Sequence, residues 1–178
     1  MLSSHWSIIL IISSHWSILL IHSSHWSIIT IQVSVVGLDL ASMRRVSAAA
    51  WNIVDKMKVD RVDVLINAAA APGAGEREVT SEGLERVMAT NLLGPLHLAT
   101  RLLKVFSDDA VVINLVVSEA DITDADIENM DSEESYDAER VYPQSKHLLR
   151  LLAREMNQRF SKVKPGRWVE SGKVIICY

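Results

Sequence analysis

The chain has 178 residues, enough for one domain and too few for two full cores. Its 18 Lys and Arg against 22 Asp and Glu leave a formal charge of −4, with 49% of residues hydrophobic and 22% charged. That balance excludes an intrinsically disordered chain and offers nucleic acid no basic footprint. Cys177 is the one cysteine and no Asn-X-Ser/Thr acceptor occurs, which excludes a disulfide-stapled secreted domain. The expected location is intracellular, cytoplasmic or membrane-associated. Charge is unevenly spread: Asp39 is the first charged residue, so two compositions are joined in one chain.

Residues 3–8, 13–18 and 23–28 read Ser-Ser-His-Trp-Ser-Ile three times over. Such near-identity exceeds what a structural repeat needs, and marks residues 1–28 as a duplicated low-complexity hydrophobic stretch. A period of ten is even, so in extended chain Trp6, Trp16 and Trp26 fall on one side and the apolar runs can form a strand meander. In a helix each repeat would turn the pattern by about 280°, which aligns nothing. The strand reading is therefore preferred.

Membrane association through residues 6–36 competes with it, because a span needs about 20 mostly apolar residues and no charge forbids one here. Against it, Ser-Ser-His interrupts each apolar run and no Lys or Arg precedes the stretch to orient it. His15, His22 and His25 have no Cys, Asp or Glu nearby to complete a metal site, so no metal is expected.

From about residue 29 short β-branched runs alternate with helical patterns, the signature of βαβ units and a parallel sheet in an α/β fold. Ile29 to Val36 reads as a strand ending in Gly37-Leu38-Asp39-Leu40, and Ser42 as the cap of a helix. Met43, Val46, Ala50, Ile53 or Val54, and Met57 give that helix one apolar face, to about Lys58. Val62 to Ile66 is a buried strand, and Asn67-Ala-Ala-Ala-Ala-Pro-Gly is the loop at its carboxyl end. The spacing of Leu84, Val87, Met88, Leu92, Leu96, Leu102 and Leu103 predicts a helix of roughly twenty residues starting near Ser81. Ala110 to Val117 reads as a central strand.

Residues 121–139 hold nine Asp or Glu and read as a solvated surface loop. Tyr142 to Phe160 is helical, with Leu148, Leu149, Leu151, Leu152 and Met156 inward, and Lys173 to Cys177 is a last short strand. In an open parallel sheet the ligand lies outside the carboxyl ends of the strands. Asp39, Asn67 and the residues after Val117 are therefore the places to look.

Tyr142 and Lys146 form a Tyr-x-x-x-Lys pair, which a helix brings to one face. A neighbouring ammonium favours phenolate over phenol, so the spacing fits the tyrosine for general acid/base work. Val-Tyr-Pro-Gln-Ser-Lys follows a strand and a long loop. Upstream lie Leu-Asp-Leu-Ala-Ser, Asp-Val-Leu-Ile-Asn-Ala-Ala-Ala and Asn91-Leu-Leu-Gly94. In this order and at these distances the motifs resemble the short-chain dehydrogenase/reductase family. Leu38-Asp-Leu-Ala-Ser42, Met130-Asp-Ser-Glu-Glu-Ser-Tyr136 and Tyr142-x-Gln-Ser-Lys146 are most similar to its retinol-dehydrogenase-like group. The resemblance covers about residues 30–177.

It implies an incomplete Rossmann-like doubly wound parallel sheet over residues 29–178, preceded by the repeat, and NADP or NAD as cofactor. By resemblance Asp39 contacts the cofactor's adenine. Asn67 and Ala69 match the loop that in the family reads Asn-Asn-Ala-Gly beside the cofactor, and Asn91 matches the helix asparagine that holds a proton-relay water. Tyr142 matches the catalytic acid/base, and Lys146 the residue that binds the nicotinamide ribose and lowers the tyrosine pKa. The alternative for each is a packing or capping role.

The chain departs from the family at three places. The Thr-Gly-x-x-x-Gly-x-Gly turn, whose glycines bring backbone to the pyrophosphate, is missing: the first glycine is Gly37, and the repeat stands where the turn belongs. Counting from Asn114 puts Val117 at the catalytic serine. Ser118, one residue on, takes that role only if the strand has already ended. Ala68 and Ala70 replace an asparagine and a glycine of the loop. Family domains run longer, so truncation at both ends is expected.

Two readings follow. One is an NAD(P)-dependent oxidoreductase acting on a small-molecule alcohol or carbonyl, of retinoid type if the group resemblance holds. The other is a catalytically inactive truncated member with a binding or interaction role. The resemblance also implies homodimer pairing through the helices holding Leu92 to Leu103 and Leu148 to Met156, faces that can equally be core.

Overall fold

A computed structural model describes residues 7–13, 17–23, 31–116 and 128–163. Trp6, Trp16, Trp26, His15, His25, Val117, Ser118 and the strand expected at Lys173 to Cys177 lie outside the described residues. Ser7–Ser13 (β1) and Ser17–Ser23 (β2) pair antiparallel, from Ser7 opposite His22 to Ser13 opposite Ser17. Ile31–Val36 (β3) pairs antiparallel with β2. Apolar runs a few residues apart can join only as antiparallel neighbours, because a parallel crossover needs a dozen residues or more. Two copies of the repeat thus supply strands, as the even period favours.

Val62–Asn67 (β4) lies parallel to β1, with Ile8 opposite Val64 and Ile11 opposite Asn67. Phe106–Asn114 (β5) continues the parallel set, with Leu65 opposite Val112 and Asn67 opposite Asn114. The sheet order is β3-β2-β1-β4-β5. β5 starts four residues before the expected Ala110 and ends at Asn114 rather than Val117, so its polar lead-in Ser107-Asp108 is strand as well.

Met43–Trp51 (α1) begins at the expected cap, where Ser42 Oγ accepts from Arg45 N at 3.3 Å. The Glu82 carboxylate completes that end from 40 residues away. It accepts from Ser42 Oγ and Met43 N, both at 2.8 Å, and from Arg44 N at 3.2 Å. A π turn, Asn52–Lys56, follows, and Lys58 at φ 58° reverses the chain.

The second helix does not start near Ser81. Residues 80–85 form a turn with Gly83 at φ 82° and an isolated bridge between Val79 and Glu85. Glu85 caps Arg86–Met88 (α2), accepting from Val87 N at 2.9 Å and Met88 N at 2.7 Å. A π turn, Ala89–Leu93, leads directly into Gly94–Leu102 (α3). Ala138–Val163 (α4) starts four residues before Tyr142, because Asp137 accepts through Oδ1 from Glu139 N and through its carbonyl from Val141 N. Pro143 lies inside this helix, where it has no N–H to donate to the Glu139 carbonyl.

The main core joins Val36, Leu65 and Ala110 of the sheet to Val46 and Ile53 of the first helical segment and Leu98 and Leu102 of α3. Fully burying a side chain of this size stabilises by about 1.5–3 kcal/mol. Ser47 Oγ and His97 Nε2, 2.7 Å apart, tie α1 to α3. Gly94 lets α3 touch the Leu40 backbone, where a Cβ would run into the carbonyl oxygen. A second cluster, Met88, Leu92, Val116, Leu148 and Leu149, seats α4 against the π turn and the end of β5. Among the described residues no helix is long and apolar enough to cross a membrane.

Candidate active site

The carboxyl ends of β4 and β5 carry buried polar groups. Asn67 closes β4 and Asn114 closes β5, and Asn67 Nδ2 donates to Asn114 Oδ1 at 2.8 Å. Leu115 N donates to Asn67 O at 3.0 Å and carries the strand pairing one residue further. Asn67 is 3% exposed, and its Oδ1 has no partner among the described residues. A buried acceptor in that state is costly and suits a donor brought from outside.

Tyr142 and Lys146 lie one turn apart on α4, as the spacing predicts, with the Lys146 Nζ 6.0 Å from the centre of the Tyr142 ring. Lys146 is buried, and its Nζ donates to the Leu115 carbonyl at 3.0 Å. Burial brings its pKa from 10.5 down to about 8. One ammonium proton is held by Leu115, and among the described residues the other two have no acceptor. Tyr142 is half-buried.

Asn91 is fully buried in the π turn between α2 and α3, and such turns occur frequently at functional sites. Its Oδ1 accepts from Ala71 N at 2.7 Å, and its Nδ2 donates to Ala71 O at 2.9 Å and to Ser145 Oγ at 3.0 Å. Both amide protons are therefore used. The side chain fastens the loop after β4, and a relay water would have to be held by other atoms of this turn. Ser145 Oγ donates in its turn to the Tyr142 carbonyl at 2.7 Å. The same loop is pinned a second time, where the Tyr136 hydroxyl donates to Ala74 O at 3.0 Å and accepts from Ala74 N at 3.1 Å. Gly73 beside it allows close approach to the Ala138 carbonyl at the start of α4.

The structure brings Asn67, Asn91, Tyr142 and Lys146 to one end of the sheet, and places the other expected residues differently. Ala69 is 4% exposed and packs into the main core, so its side chain is a core contact. Asp39 lies at the end of the β3 segment, where Oδ1 accepts from Ala41 N at 3.0 Å and Oδ2 sits 3.7 Å from Arg45. Ser118 is outside the described residues. Sequence reasoning missed Ser145, Asn114, Leu115 and Ala71. Ser145 was inside the Tyr-Pro-Gln-Ser-Lys stretch, and a small hydroxyl between two functional positions of one helix face was the signal available. The other three act through backbone or through partners far along the chain. Among the described residues no group of three or more His, Cys, Asp or Glu could hold a metal.

The short chain dehydrogenase family model matches residues 21–164. No curated protein matches the chain. Among solved structures, an uncharacterised protein from Mycobacterium paratuberculosis is 28% identical with a TM-score of 0.63, over 76% of this chain and 47% of that one. The Pseudomonas aeruginosa RhlG/NADP active-site complex is 23% identical with a TM-score of 0.52, over 72% of this chain and 48% of that one. The chain spans about half the length of these structures. With that family model matched over most of its length, the chain belongs to the short-chain dehydrogenase family.

Proposed function

We propose that this chain is an NAD(P)-dependent oxidoreductase that interconverts an alcohol and a carbonyl compound. The observation that carries the reading is the Lys146 ammonium, buried, fastened to Leu115 O and facing the Tyr142 ring from 6.0 Å. A buried ammonium is costly to keep, and titratable groups perturbed by burial cluster at functional sites.

The residues at the ribose end suit a nicotinamide cofactor. Lys146 has two donors left for the ribose hydroxyls, and Asn67 Oδ1 is a buried acceptor awaiting a donor at the same strand ends. The pyrophosphate end differs from the family pattern: β1 and β2 pair as far as Ser13 and Ser17, and among the described residues no helix follows β1. Asp39 at the end of the β3 segment is the residue proposed for the adenine. When bound, the nicotinamide ring supplies the hydride donor or acceptor.

The chain's own residues do the rest. Tyr142 Oη gives the proton to the carbonyl oxygen in reduction and takes it from the alcohol in oxidation. Lys146 stabilises the phenolate that results, and is held for this by Leu115 O. Asn91 fixes the loop that borders the site through Ala71. Ser118 is proposed as the group that polarises the substrate oxygen. The substrate is proposed to be an apolar, retinoid-like alcohol or aldehyde, on the likeness of residues 38–42 and 130–146 to that group. A net charge of −4 suits a small-molecule partner rather than nucleic acid.

The test is turnover of NADPH with retinal, compared with Tyr142→Phe. Loss of at least 10²-fold in kcat in the variant is expected if Tyr142 moves the proton. Turnover surviving in Tyr142→Phe would refute the assignment.

A further inference from the structure

Ser145 is buried completely, and all the bonding capacity that its hydroxyl shows is directed at the site. Its one proton goes to the Tyr142 carbonyl at 2.7 Å, and its oxygen accepts from Asn91 Nδ2 at 3.0 Å. Asn91 passes the connection on to both polar groups of the Ala71 backbone. An unbroken line of hydrogen bonds therefore runs from the loop after β4, through the π turn, to the turn of α4 that bears Tyr142. Its neighbour Lys146 grips Leu115 at the end of β5. Successive helix residues point about 100° apart, so these two bonds hold α4 from two directions and fix its rotation about its own axis.

We infer that Ser145 is a positioning residue that locks α4 to Asn91 and to the loop around Ala71, so that Tyr142 and the loop after β4 keep one fixed geometry. This rests on the oxidoreductase reading for its consequence in rate, while the mechanical link stands on the hydrogen bonds alone. Without the hydroxyl, one Asn91 amide proton is left buried without its acceptor, and the two bonds that Asn91 makes to Ala71 lose their tie to α4. Misplacing a reacting group by 1 Å can cost on the order of 10²-fold in rate.

The test compares the full chain with Ser145→Ala, Ser145→Thr and Ser145→Cys, the last keeping the side-chain size with a weaker hydrogen-bonding group. Two readouts are taken: amide hydrogen exchange across residues 68–75, and kcat with NADPH and 4-nitrobenzaldehyde beside the NADPH dissociation constant from nicotinamide fluorescence. Faster exchange in the loop and a fall in kcat of about tenfold or more, with NADPH affinity within about twofold, are expected for Ser145→Ala and in weaker form for Ser145→Cys. Ser145→Thr, which returns the hydroxyl, is expected to restore both.

A purely structural serine would lower the melting temperature while kcat per cofactor-binding site and loop exchange stayed as in the parent, and that result overturns the inference. Faster loop exchange in Ser145→Ala, with no turnover by the parent chain on any aldehyde or ketone, supports the link and overturns the oxidoreductase reading instead.

Discussion

The Lys146 ammonium lies 6.0 Å from the centre of the Tyr142 ring, one turn along α4, and donates to the Leu115 carbonyl across the gap to β5. A cation at this range is drawn to the face of the ring, and the carbonyl keeps it from swinging outward. Burial works against the charge and brings the Lys146 pKa down to about 8. The folded state therefore favours the neutral amine more than the unfolded chain does.

That shift has a definite sign in stability. Between about pH 8 and 10.5 the unfolded chain holds a proton on Lys146 that the folded chain has released, so stability rises with pH through that window. The gain is at most on the order of 3 kcal/mol, from 1.36 kcal/mol per unit. Urea unfolding at pH 7 and pH 10.5 is expected to show this rise in the parent chain relative to Lys146→Met. Equal pH dependence in both proteins would show that Lys146 titrates in the folded state as it does in the unfolded one.

Glu82 supplies the opposite case. Hydrogen bonds from Ser42 Oγ first, then from the backbone of Met43 and Arg44, hold its carboxyl below the usual 4.5. Its contribution is complete above that ordinary value and is lost as pH falls through the lowered one. Glu82→Gln is expected to melt at a lower temperature than the parent at pH 7, with the gap narrowing as the pH is lowered below 4.5. A gap unchanged by acid would contradict the cap.

Gly94 and Gly75 separate close packing from mere glycine content. A Cβ at Gly94 would strike the Leu40 carbonyl, whereas nothing lies within 4 Å of one at Gly75. Gly94→Ala is expected to lose about 1–3 kcal/mol in urea unfolding, as overpacked sites do. Gly75→Ala should stay within about 0.5 kcal/mol of the parent, as exposed substitutions do.

The asparagine pair at the strand ends offers a fourth measure of stability. Asn114→Leu removes the acceptor of Asn67 Nδ2, a buried amide with a second polar atom already unpartnered. A loss of about 1–3 kcal/mol in denaturant unfolding is expected. A neutral effect would mean that Asn67 finds another acceptor.

Much of this site was legible because it follows local periodicity. Tyr142 and Lys146 share a face by helical spacing alone, Ser42 caps a helix where its type predicts, and Asn67 ends a strand bounded by a small-residue loop. What stayed hidden depends on groups far apart in sequence. Glu82 reaches Ser42 across 40 residues, Asn91 reaches Ser145 across 54, and Asn67 meets Asn114 across 47. No local pattern encodes such pairs, since they depend on how the strands and helices pack. The start of the second helix was misplaced for a related reason: Leu84 fits the apolar period, but Gly83 and the capping carboxylate of Glu85 hold the chain in a turn until Arg86. The parallel pairing of β1 with β4 was not legible, since the repeat reads as separate from the sheet of residues 29–178, whereas the meander reading of the repeat fits the antiparallel β1 and β2.

The end of the sheet bearing Lys146, Tyr142 and Asn67 is proposed to hold a nicotinamide cofactor. Titrating the purified chain with NADPH while following nicotinamide fluorescence tests it most directly. The account predicts saturable binding in the micromolar range, weakened by at least tenfold, or about 1.4 kcal/mol, in Lys146→Ala. No saturation at millimolar NADPH, or equal binding by Lys146→Ala, would contradict it.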